Sequence, residues 1–461
     1  MNDWKTAWKS DKLKTLLDGL WLITVFSAFW GDSIISVTVP VLGELFPFRM
    51  LLPITALVFV IWSVAKRQAP WRGNTPAEWV CLVLIGVMLI GGAASLPIAI
   101  DRAFTFRRLF NLCFDLCFFF LMLRLCRDKA LMDKTMGLSL LGLGMLSVLG
   151  VLECLFGPIF YTGENIQYIY LFGWRVASPM VTFSNTNDFV TALVFLSVAL
   201  LIWLLGKKQP QKKEWRAILV IACVFYYLIQ CASARLLVFA VWLLVLALGL
   251  YAWNKNRRRA IALFALLAVF LGFSLTKPFN LRGVVADGLS LLEAGEHNGL
   301  SWQEQFFELG EDGLQLSAEH SAGVRGRLLV HVGDCLSESY GLGVGLGNTE
   351  QLARSRAVAK DGKIWAIHCF LARIVSDYGV FILLPLLALV FFLMKPVLVG
   401  LKKGKGYRGN AAVYAAACIG FVLISTASAD AQDILPMWMF IAVMVLTCRP
   451  YFVKETEECS L

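Results

Sequence analysis

Long apolar segments, separated by short turns rich in lysine and arginine, constrain the fold of this chain more than any other feature. Of its 461 residues, 58% are hydrophobic and 16% are charged, and the mean hydropathy is +0.70. A soluble domain cannot bury that much apolar surface. The sequence predicts an all-α, polytopic membrane protein with about twelve transmembrane helices. The predicted spans lie near 17–38, 48–65, 77–97, 109–125, 135–157, 188–206, 217–232, 235–253, 260–276, 366–394, 410–427 and 433–449.

Basic residues fall in alternate connections between these segments, a pattern that reflects the preference of Lys and Arg for the cytoplasmic side. This registration predicts a multi-pass protein of the cell membrane with both termini in the cytoplasm, including an uncleaved N-terminal tail. The net charge of +10 is then explained by contact with anionic lipid, and nucleic acid is not an expected partner. The clusters are Lys66, Arg67 and Arg72; Arg127, Lys129 and Lys134; Lys207, Lys208, Lys212, Lys213 and Arg216; Lys255, Arg257, Arg258 and Arg259; and Lys402, Lys403, Lys405 and Arg408.

The predicted spans divide the chain into three regions. Residues 1–276 carry spans 1 to 9, residues 277–365 form one long extracytoplasmic loop, and residues 366–461 carry spans 10 to 12 and a short cytoplasmic tail. The loop mixes acidic and apolar residues with some helical spacing, which predicts a partly helical cap of the kind that is usually functional. The 12 cysteines form no CxxC pair, so no metal site, cofactor or disulfide framework is expected.

Two polar clusters are predicted at the outer ends of spans. The stretch RVASPMVTFSNTNDF carries Arg175, Asn185 and Asn187 before the sixth span, where amides either bind hydroxyls of a polar ligand or cap the helix. The stretch CASARLLVF places Arg235 at the mouth of the eighth span. Its fork of donors suits phosphate, although a lone outer arginine also reaches lipid headgroups. The remaining outer arginines are interpreted as interface anchors: Arg49, Arg102, Arg107 and Arg108.

Two further clusters lie in the long loop and at the start of the tenth span. Arg325 and Arg327 precede the alternating glycines of GLGVGLGN. Those glycines predict a close-packed turn and not a dinucleotide loop, because the spacing is not GxGxxG and no βαβ unit surrounds it. The two arginines are either phosphate or glycan contacts or solvent-exposed loop charges. His368 either accepts a proton from a hydroxyl or is an interfacial, hydrogen-bonded residue.

In this order, these stretches resemble the O-antigen ligase and polysaccharide polymerase family of membrane glycosyltransferases, most closely the polymerases of teichuronic acid synthesis. The resemblance rests on ELFPFRM, NTNDF, GLGVGLGN and the pattern IHxxxxxIxxDYGV. It implies a GT-C-like fold and an inverting, metal-independent transfer of a glycan from a polyprenyl-pyrophosphate carrier to a hydroxyl of an acceptor glycan. It further implies that Arg175 and Arg235 bind pyrophosphate. Arg325 would assist them, and His368 would activate the acceptor.

Cys369 and Arg373 depart from the family pattern. Members commonly have Asn after the motif histidine and an acidic residue further along that helix. Cysteine is a poor substitute for a helix-start amide, and arginine reverses a charge near the proposed base. We therefore expect either a different acceptor or reduced or lost activity.

Polymerase activity is the first interpretation, and a ligase that attaches a finished glycan to a lipid or protein acceptor shares the same chemistry. A twelve-span transporter or flippase is the alternative of another class. It would need ionisable groups near the mid-bilayer and broken helices, whereas the candidate groups here are predicted at outer span ends. The third interpretation is an inactive scaffold in a polysaccharide assembly complex. Polysaccharide export or flippase proteins are the expected protein partners.

Overall fold

The computed structural model is predominantly helical. The residues it describes are 2–30, 36–39, 43–67, 69, 71–159, 168–171, 174–183, 186–206, 220, 223–224, 226–231, 235–253, 256–276, 296–297, 300–301, 307–310, 313–316, 321–358, 367, 369–403, 405–425 and 434–452. Helices of the first part are α1 (Asn2–Ser27), α2 (Pro47–Ala65), α3 (Pro76–Ser95), α4 (Arg102–Leu125), α5 (Lys129–Phe156), α6 (Thr186–Gly206), α7 (Arg235–Trp253) and α8 (Arg257–Thr276).

The second part begins within the long loop. Its helices are α9 (Ser321–Glu338), α10 (Asn348–Ser355), α11 (Phe370–Tyr378), α12 (Leu383–Leu393), α13 (Lys395–Lys403), α14 (Lys405–Ser425) and α15 (Leu435–Cys448), with 3₁₀ turns at Val380–Ile382 and Arg449–Tyr451. Short antiparallel hairpins add to the predicted helices. They pair β1 (Val37–Val39) with β2 (Gly43–Leu45), β3 (Tyr168–Leu171) with β4 (Trp174–Ala177), β5 (Glu296–His297) with β6 (Leu300–Ser301), and β7 (Phe307–Gly310) with β8 (Gly313–Leu316).

Several helices are long and apolar enough to cross a membrane, as a membrane protein requires. Among the described residues there are five such segments: Pro47–Ala65, Pro76–Ser95, Lys129–Phe156, Thr186–Leu205 and Val380–Gly400. Shorter apolar helices occupy Leu237–Trp253, Ala411–Ser425 and Leu435–Tyr451. The larger number of about twelve spans stays a prediction.

The predicted span at 366–394 differs from the structure. Helix α11 ends at Tyr378, and the membrane-length apolar segment begins only at Val380. Gly379 separates the two because its φ of +81° lies in the left-handed region, which a side chain rarely adopts. Hydropathy does not reveal this break, since the residues on both sides of it are largely apolar. The first three residues of the DYGV motif therefore lie just before the span, which begins at Val380.

One end of the helix bundle, called here the Glu78 end, gathers three turns that are distant in sequence. Glu78 is fully buried and forms a capping box with Thr75 at the start of α3. Arg127 Nε lies 2.8 Å from its carboxylate and Arg449 Nη1 lies 3.3 Å from it. Arg127 also donates to the Arg72 carbonyl oxygen. The turns after α2, α4 and α15 therefore meet, in agreement with the predicted alternation of basic connections.

The opposite end, called here the Ser95 end, is where α3 stops and α4 starts. Ser95 Oγ accepts a hydrogen bond of 2.8 Å from the backbone N–H of Leu346, whose carbonyl accepts from Thr105 Oγ1 at 3.2 Å. Asn348 Oδ1 accepts from the backbone N–H of Ile100 at 3.0 Å. The segment between α9 and α10 is thereby fastened over the ends of the membrane helices.

Helix α6 connects the two ends through the centre of the bundle. Trp203, near its last turn, donates from Nε1 to Asp133 Oδ1 at 2.8 Å. Asp133 lies in the second turn of α5, near the Glu78 end, so α6 begins at the opposite end. Buried residues make up 89% of the segment Thr186–Leu205 but only 22% of Val380–Gly400. Helix α6 is consequently central, and the Val380 segment faces outward.

Candidate active site

The structure describes the predicted site residues to different extents. His368 and Asn185 lie outside the described residues. Arg175 is described as a backbone position in β4, opposite Tyr170, and Arg235 as the first residue of α7. The roles predicted for these four side chains stay predictions, so the site is built here from the segments that carry them.

A buried carboxylate orders the chain that follows Arg175. Glu153, in the last turn of α5, is only 1% exposed. Its oxygens accept hydrogen bonds from three backbone N–H groups, those of Ile159 at 3.1 Å, Met180 at 2.8 Å and Val181 at 2.7 Å. A buried carboxylate is tolerated only when such donors replace water. The end of α5 therefore holds the segment between β4 and α6 in place.

The segments that carry Arg175 and Arg235 are tied to each other. Ser178, three residues after Arg175, donates from Oγ to the carbonyl oxygen of Cys231 at 3.0 Å. Cys231 in turn precedes Arg235 by four residues. Both bonded residues are buried. The segments that carry the two predicted pyrophosphate ligands are thus hydrogen-bonded to each other near the end of α5.

The described part of the NTNDF run, from Thr186 to Phe189, forms the first turn of α6. Asn187 is the second residue of that helix and is half-buried, so it is not the residue that caps the helix start. Asp188 is buried beside it, and Phe189 is fully buried against Phe183, with ring centroids 5.9 Å apart. The capping interpretation therefore does not apply to Asn187, whose amide remains a candidate ligand group at the mouth of the central helix.

Arg325 and Arg327 lie within helix α9 and not in an irregular loop. They flank its buried face, which contains Val324 and Leu328 packed against Ala353 of α10. Residues two positions apart in a helix point in different directions. The two half-buried arginines therefore lie on opposite sides of that face. We therefore expect one of the two arginines to face a given site, and the sequence alone does not predict which one.

The glycines of GLGVGLGN form a close-packed turn, as predicted. Gly341, Gly343, Gly345 and Gly347 have φ values of +77°, +84°, +95° and +78°. A Cβ added to Gly343 would overlap the backbone nitrogen of Gly379. Side chains would be strained by the backbone at each position and excluded by contact at Gly343.

The glycine turn packs on the DYGV motif. The N–H of Val344 donates to the carbonyl of Ser376 at 2.9 Å, and the N–H of Gly345 donates to that of Asp377 at 3.0 Å. In the reverse direction, the N–H of Val380 donates to the carbonyl of Gly341 at 2.8 Å. Two motifs that the sequence showed separately are therefore the two halves of one structure, called here the junction.

Asp377 is the central acid of the junction. Its Oδ1 accepts from the Thr349 hydroxyl at 2.7 Å and its Oδ2 from the Gly347 N–H at 3.3 Å. Ser376 Oγ lies 2.8 Å from Thr349 Oγ1 and extends the network. Burial raises the pKa of Asp377 to about 6, against the opposing effect of the nearby Arg373. This carboxyl therefore changes its charge within the junction at mildly acidic pH.

Arg373 has a buried counter-ion. Both Arg373 and Glu350 are 1% exposed, and Arg373 Nε lies 3.7 Å from Glu350 Oε1. Arg108 Nη2 lies 2.9 Å from the other oxygen of Glu350. The charge reversal at Arg373 is therefore compensated by an acid from α10. The interpretation of Arg108 as a lipid anchor is wrong, since its guanidinium binds Glu350 and packs 5.2 Å from the Phe104 ring.

A buried histidine also belongs to this region. His331 Nε2 lies 3.1 Å from the Thr349 carbonyl oxygen and 3.4 Å from Cys335 Sγ. Burial lowers the pKa of His331, which keeps the ring neutral at pH 7. It connects α9 to α10 and has no exposed position from which to meet a substrate. No cluster of three or more His, Cys, Asp or Glu suited to a metal ion occurs among the described residues.

The junction positions the start of α11, where Cys369 follows His368. Cys369 is half-buried and begins the helix without a side-chain cap, as the comparison with the family pattern led us to expect. Phe370 packs edge-on against Phe421 of α14, and Phe421 packs against Phe195 of α6, at centroid distances of 6.0 and 5.9 Å. Helix α14 therefore bridges the start of α11 to the central helix.

No protein-family profile matches the chain. The chain is similar to the teichuronic acid biosynthesis protein TuaE of Bacillus subtilis (strain 168), with 24% identity over 278 residues. The matched part covers 58% of this chain and 51% of that protein, so the chain spans about half the length of its curated relative. The apolar helices indicate a membrane protein, and the likeness relates it distantly to a protein of teichuronic acid biosynthesis.

Proposed function

We propose that the chain is a glycosyltransferase that polymerises a cell-surface polysaccharide, using a polyprenyl-pyrophosphate-linked glycan as donor and a sugar hydroxyl as acceptor. One observation carries the proposal. The segments bearing Arg175, Arg235 and Asn187, and the junction that positions the start of α11, lie at the end of the bundle opposite the basic turns. The likeness to a teichuronic acid biosynthesis protein supports the class of product.

The orientation follows from charge. The Glu78 end gathers the connections that contain Arg67, Arg72 and Arg127, so the positive-inside rule assigns that end to the cytoplasm. The Ser95 end is then extracytoplasmic, together with α9 and α10 of the long loop. In this arrangement about twelve spans cross the membrane and both termini are cytoplasmic.

The proposed reaction is one displacement at the anomeric carbon. The acceptor oxygen attacks C1, the bond from C1 to the pyrophosphate oxygen breaks, and the acceptor proton passes to His368. Arg175 and Arg235 stabilise the charge that develops on the leaving pyrophosphate, which positioned arginines can do without a metal. Asn187 with Asn185 binds sugar hydroxyls, and one arginine of the pair Arg325 and Arg327 assists at the phosphate. A single displacement inverts the configuration.

The buried ion pair of Arg373 favours an active enzyme over an inactive scaffold. An unpaired buried guanidinium would destabilise α11 by several kcal/mol. Instead, Glu350 neutralises it from the loop, and Asp377 lies one turn further along the same helix. We infer that α11 is held in position in this chain by an arrangement of charges that differs from the family pattern.

The test is the glycan that accumulates on the lipid carrier in cells that lack the protein. A polymerase predicts loss of long surface chains and accumulation of single repeat units on the carrier. A ligase predicts full-length chains left on the carrier. His368→Ala should reproduce the deletion while the protein inserts normally, and Cys369→Ala, at the half-buried neighbour, should leave chain length unchanged. Normal chain length in the His368→Ala strain would contradict the base role.

A further inference from the structure

The turn that ends helix α9 holds an aromatic residue in a costly conformation. Tyr340 has a φ of +52°. The N–H of Gly341 donates to the Leu336 carbonyl at 2.7 Å and that of Tyr340 to the Ser337 carbonyl at 3.1 Å. This pair of bonds is a Schellman motif, in which the left-handed position is normally glycine. Tyrosine there is disfavoured, because its Cβ meets the backbone.

Burial of the side chain does not offset the energetic cost of this backbone conformation. The Tyr340 side chain is 93% exposed, and Leu342, two residues later, is 66% exposed. Glycine would form the same turn without strain. This turn therefore leaves a large aromatic group open to a binding partner outside the chain.

The surroundings of the turn identify what covers it. The Gly341 carbonyl accepts from the N–H of Val380, the first residue of the outward-facing apolar segment Val380–Gly400. Phe381 and Leu384 of that segment are 62% and 68% exposed. The turn therefore continues an apolar surface that lipid covers in a membrane protein, at the depth where a span begins. Tyrosine is enriched at that depth, because its ring sits at the level of the headgroups.

Charge near the turn is compatible with this depth. Glu338, the last residue of α9, pairs with Arg356 at 2.6 Å. That contact holds the pKa of the Glu338 carboxyl below its usual range. The paired arginine offsets the negative charge that anionic lipid headgroups would otherwise repel.

We propose that the turn Ser339–Leu342 is a membrane-interface anchor. Tyr340 and Leu342 insert at the lipid surface beside Phe381 and hold α9, with the arginines it carries, against the bilayer. The long loop thus lies along the membrane near the junction and does not project away from it. Lipid contact at this turn does not depend on the reaction proposed above.

Photocrosslinking in the full-length protein tests the anchor. The probe is p-benzoylphenylalanine in place of Tyr340, in nanodiscs of phosphatidylethanolamine and phosphatidylglycerol, with lipid adducts measured by mass spectrometry. The matched control carries the probe in place of Ser337, an exposed residue one turn earlier in α9. We expect at least about fivefold more lipid adduct at position 340 than at position 337, since only the turn Ser339–Leu342 is proposed to insert among the headgroups, where tyrosine is enriched. Equal yields at both positions, or adducts at 340 formed with a second copy of the chain, would overturn the proposal.

A second variant separates anchoring from folding. Tyr340→Gly keeps the Schellman motif and removes the strain, so the protein in detergent should unfold at the same or a higher temperature. In nanodiscs, however, the amide hydrogens of α9 should exchange faster in the variant, because the helix has lost its contact with lipid. Exchange at the rate of the unchanged chain would show that Tyr340 is not an anchor.

Discussion

Glu78, Glu153 and Glu350 are buried carboxylates around which the described structure is organised. Each lies in or near an apolar segment, and each has at least one partner that is far away in sequence. Arg127 is 49 residues from Glu78, and Arg108 is 242 residues from Glu350. No local sequence pattern predicts partners at such separations. The sequence predicted arginines as candidate ligands, whereas the acids that hold the surrounding segments were visible only in the structure.

The charge of the buried Asp377 carboxyl should make the stability of the protein depend on pH. Its pKa is raised to about 6, so the folded protein binds this proton more tightly than the unfolded chain does. Its contribution to the free energy of unfolding is therefore greatest at low pH and is lost as the pH rises through about 6. Asp377→Asn should abolish this component. We expect the unfolding temperature of the unchanged protein, relative to that of Asp377→Asn, to fall as the pH rises from about 4.5 to about 7, because proton binding at Asp377 is linked to folding.

The measurement is the unfolding temperature of both proteins in detergent across that range. Other titrating groups affect both proteins equally, so only the difference between the two curves reports on Asp377. A difference that is constant with pH would mean that the carboxyl does not titrate inside the junction.

The bounds and position of helix α11 depend on residues outside the helix. Its bounds could not be predicted, because Ser376 and Asp377 do not by themselves mark a helix end, and the left-handed φ at Gly379 separates α11 from the span. The glycine turn was predictable, since four alternating glycines are a local signal. Its pairing with DYGV was not, because backbone hydrogen bonds between distant segments leave no mark on residue spacing. The arginine at position 373, which departs from the family pattern, is explained by its buried counter-ion Glu350. The sequence alone does not predict that pair.

The Glu350 pair gives a prediction at the scale of elements. Glu350→Gln leaves Arg373 and Arg108 without their buried counter-ion, and we expect a loss of about 3–5 kcal/mol in the free energy of unfolding. Adding Arg373→Met should recover part of that loss, because one buried charge is removed. The measurement is chemical unfolding of the protein in detergent micelles.

The exposed pair Glu338 and Arg356, at 2.6 Å, is the matched control. Glu338→Gln should cost far less than Glu350→Gln, since solvent screens a surface pair. Similar losses for Glu350→Gln and Glu338→Gln would contradict the view that the buried pair docks the loop onto α11.

The whole molecule is a helical bundle with two chemically different ends. The sequence predicts this division from its alternating basic turns, because charge in short connections is a local and strong signal. The convergence of Arg127 and Arg449 on Glu78 brings the basic turns after α2 and α4 to one end, together with the turn after α15. The order in which helices pack could not be predicted, since apolar spans look alike in composition. Helix α6 is central and the Val380 segment is peripheral, although both are strongly apolar.

Cysteine accessibility checks the orientation of the bundle. Trp71 lies in the turn at the Glu78 end and Ile98 in the turn at the Ser95 end, and both side chains are exposed, by 57% and 64%. In intact cells, a membrane-impermeant maleimide should label Ile98→Cys but not Trp71→Cys above the level of the unchanged chain. After permeabilisation it should label both. Labelling of Trp71→Cys alone in intact cells would mean that the orientation is reversed.

Reconstitution of the purified protein tests the central claim most directly. The protein in liposomes would be given a polyprenyl-pyrophosphate-linked glycan, with elongated glycan and released polyprenyl pyrophosphate measured together. We predict both products in equal amounts for the unchanged protein, neither above background for His368→Ala, and roughly tenfold weaker donor use for Arg235→Lys, which loses the planar fork of donors. Arg257→Lys, at the start of α8, is the matched control and should behave as the unchanged protein does. Elongation by His368→Ala at the unchanged rate, or no elongation by the unchanged protein, would contradict the account.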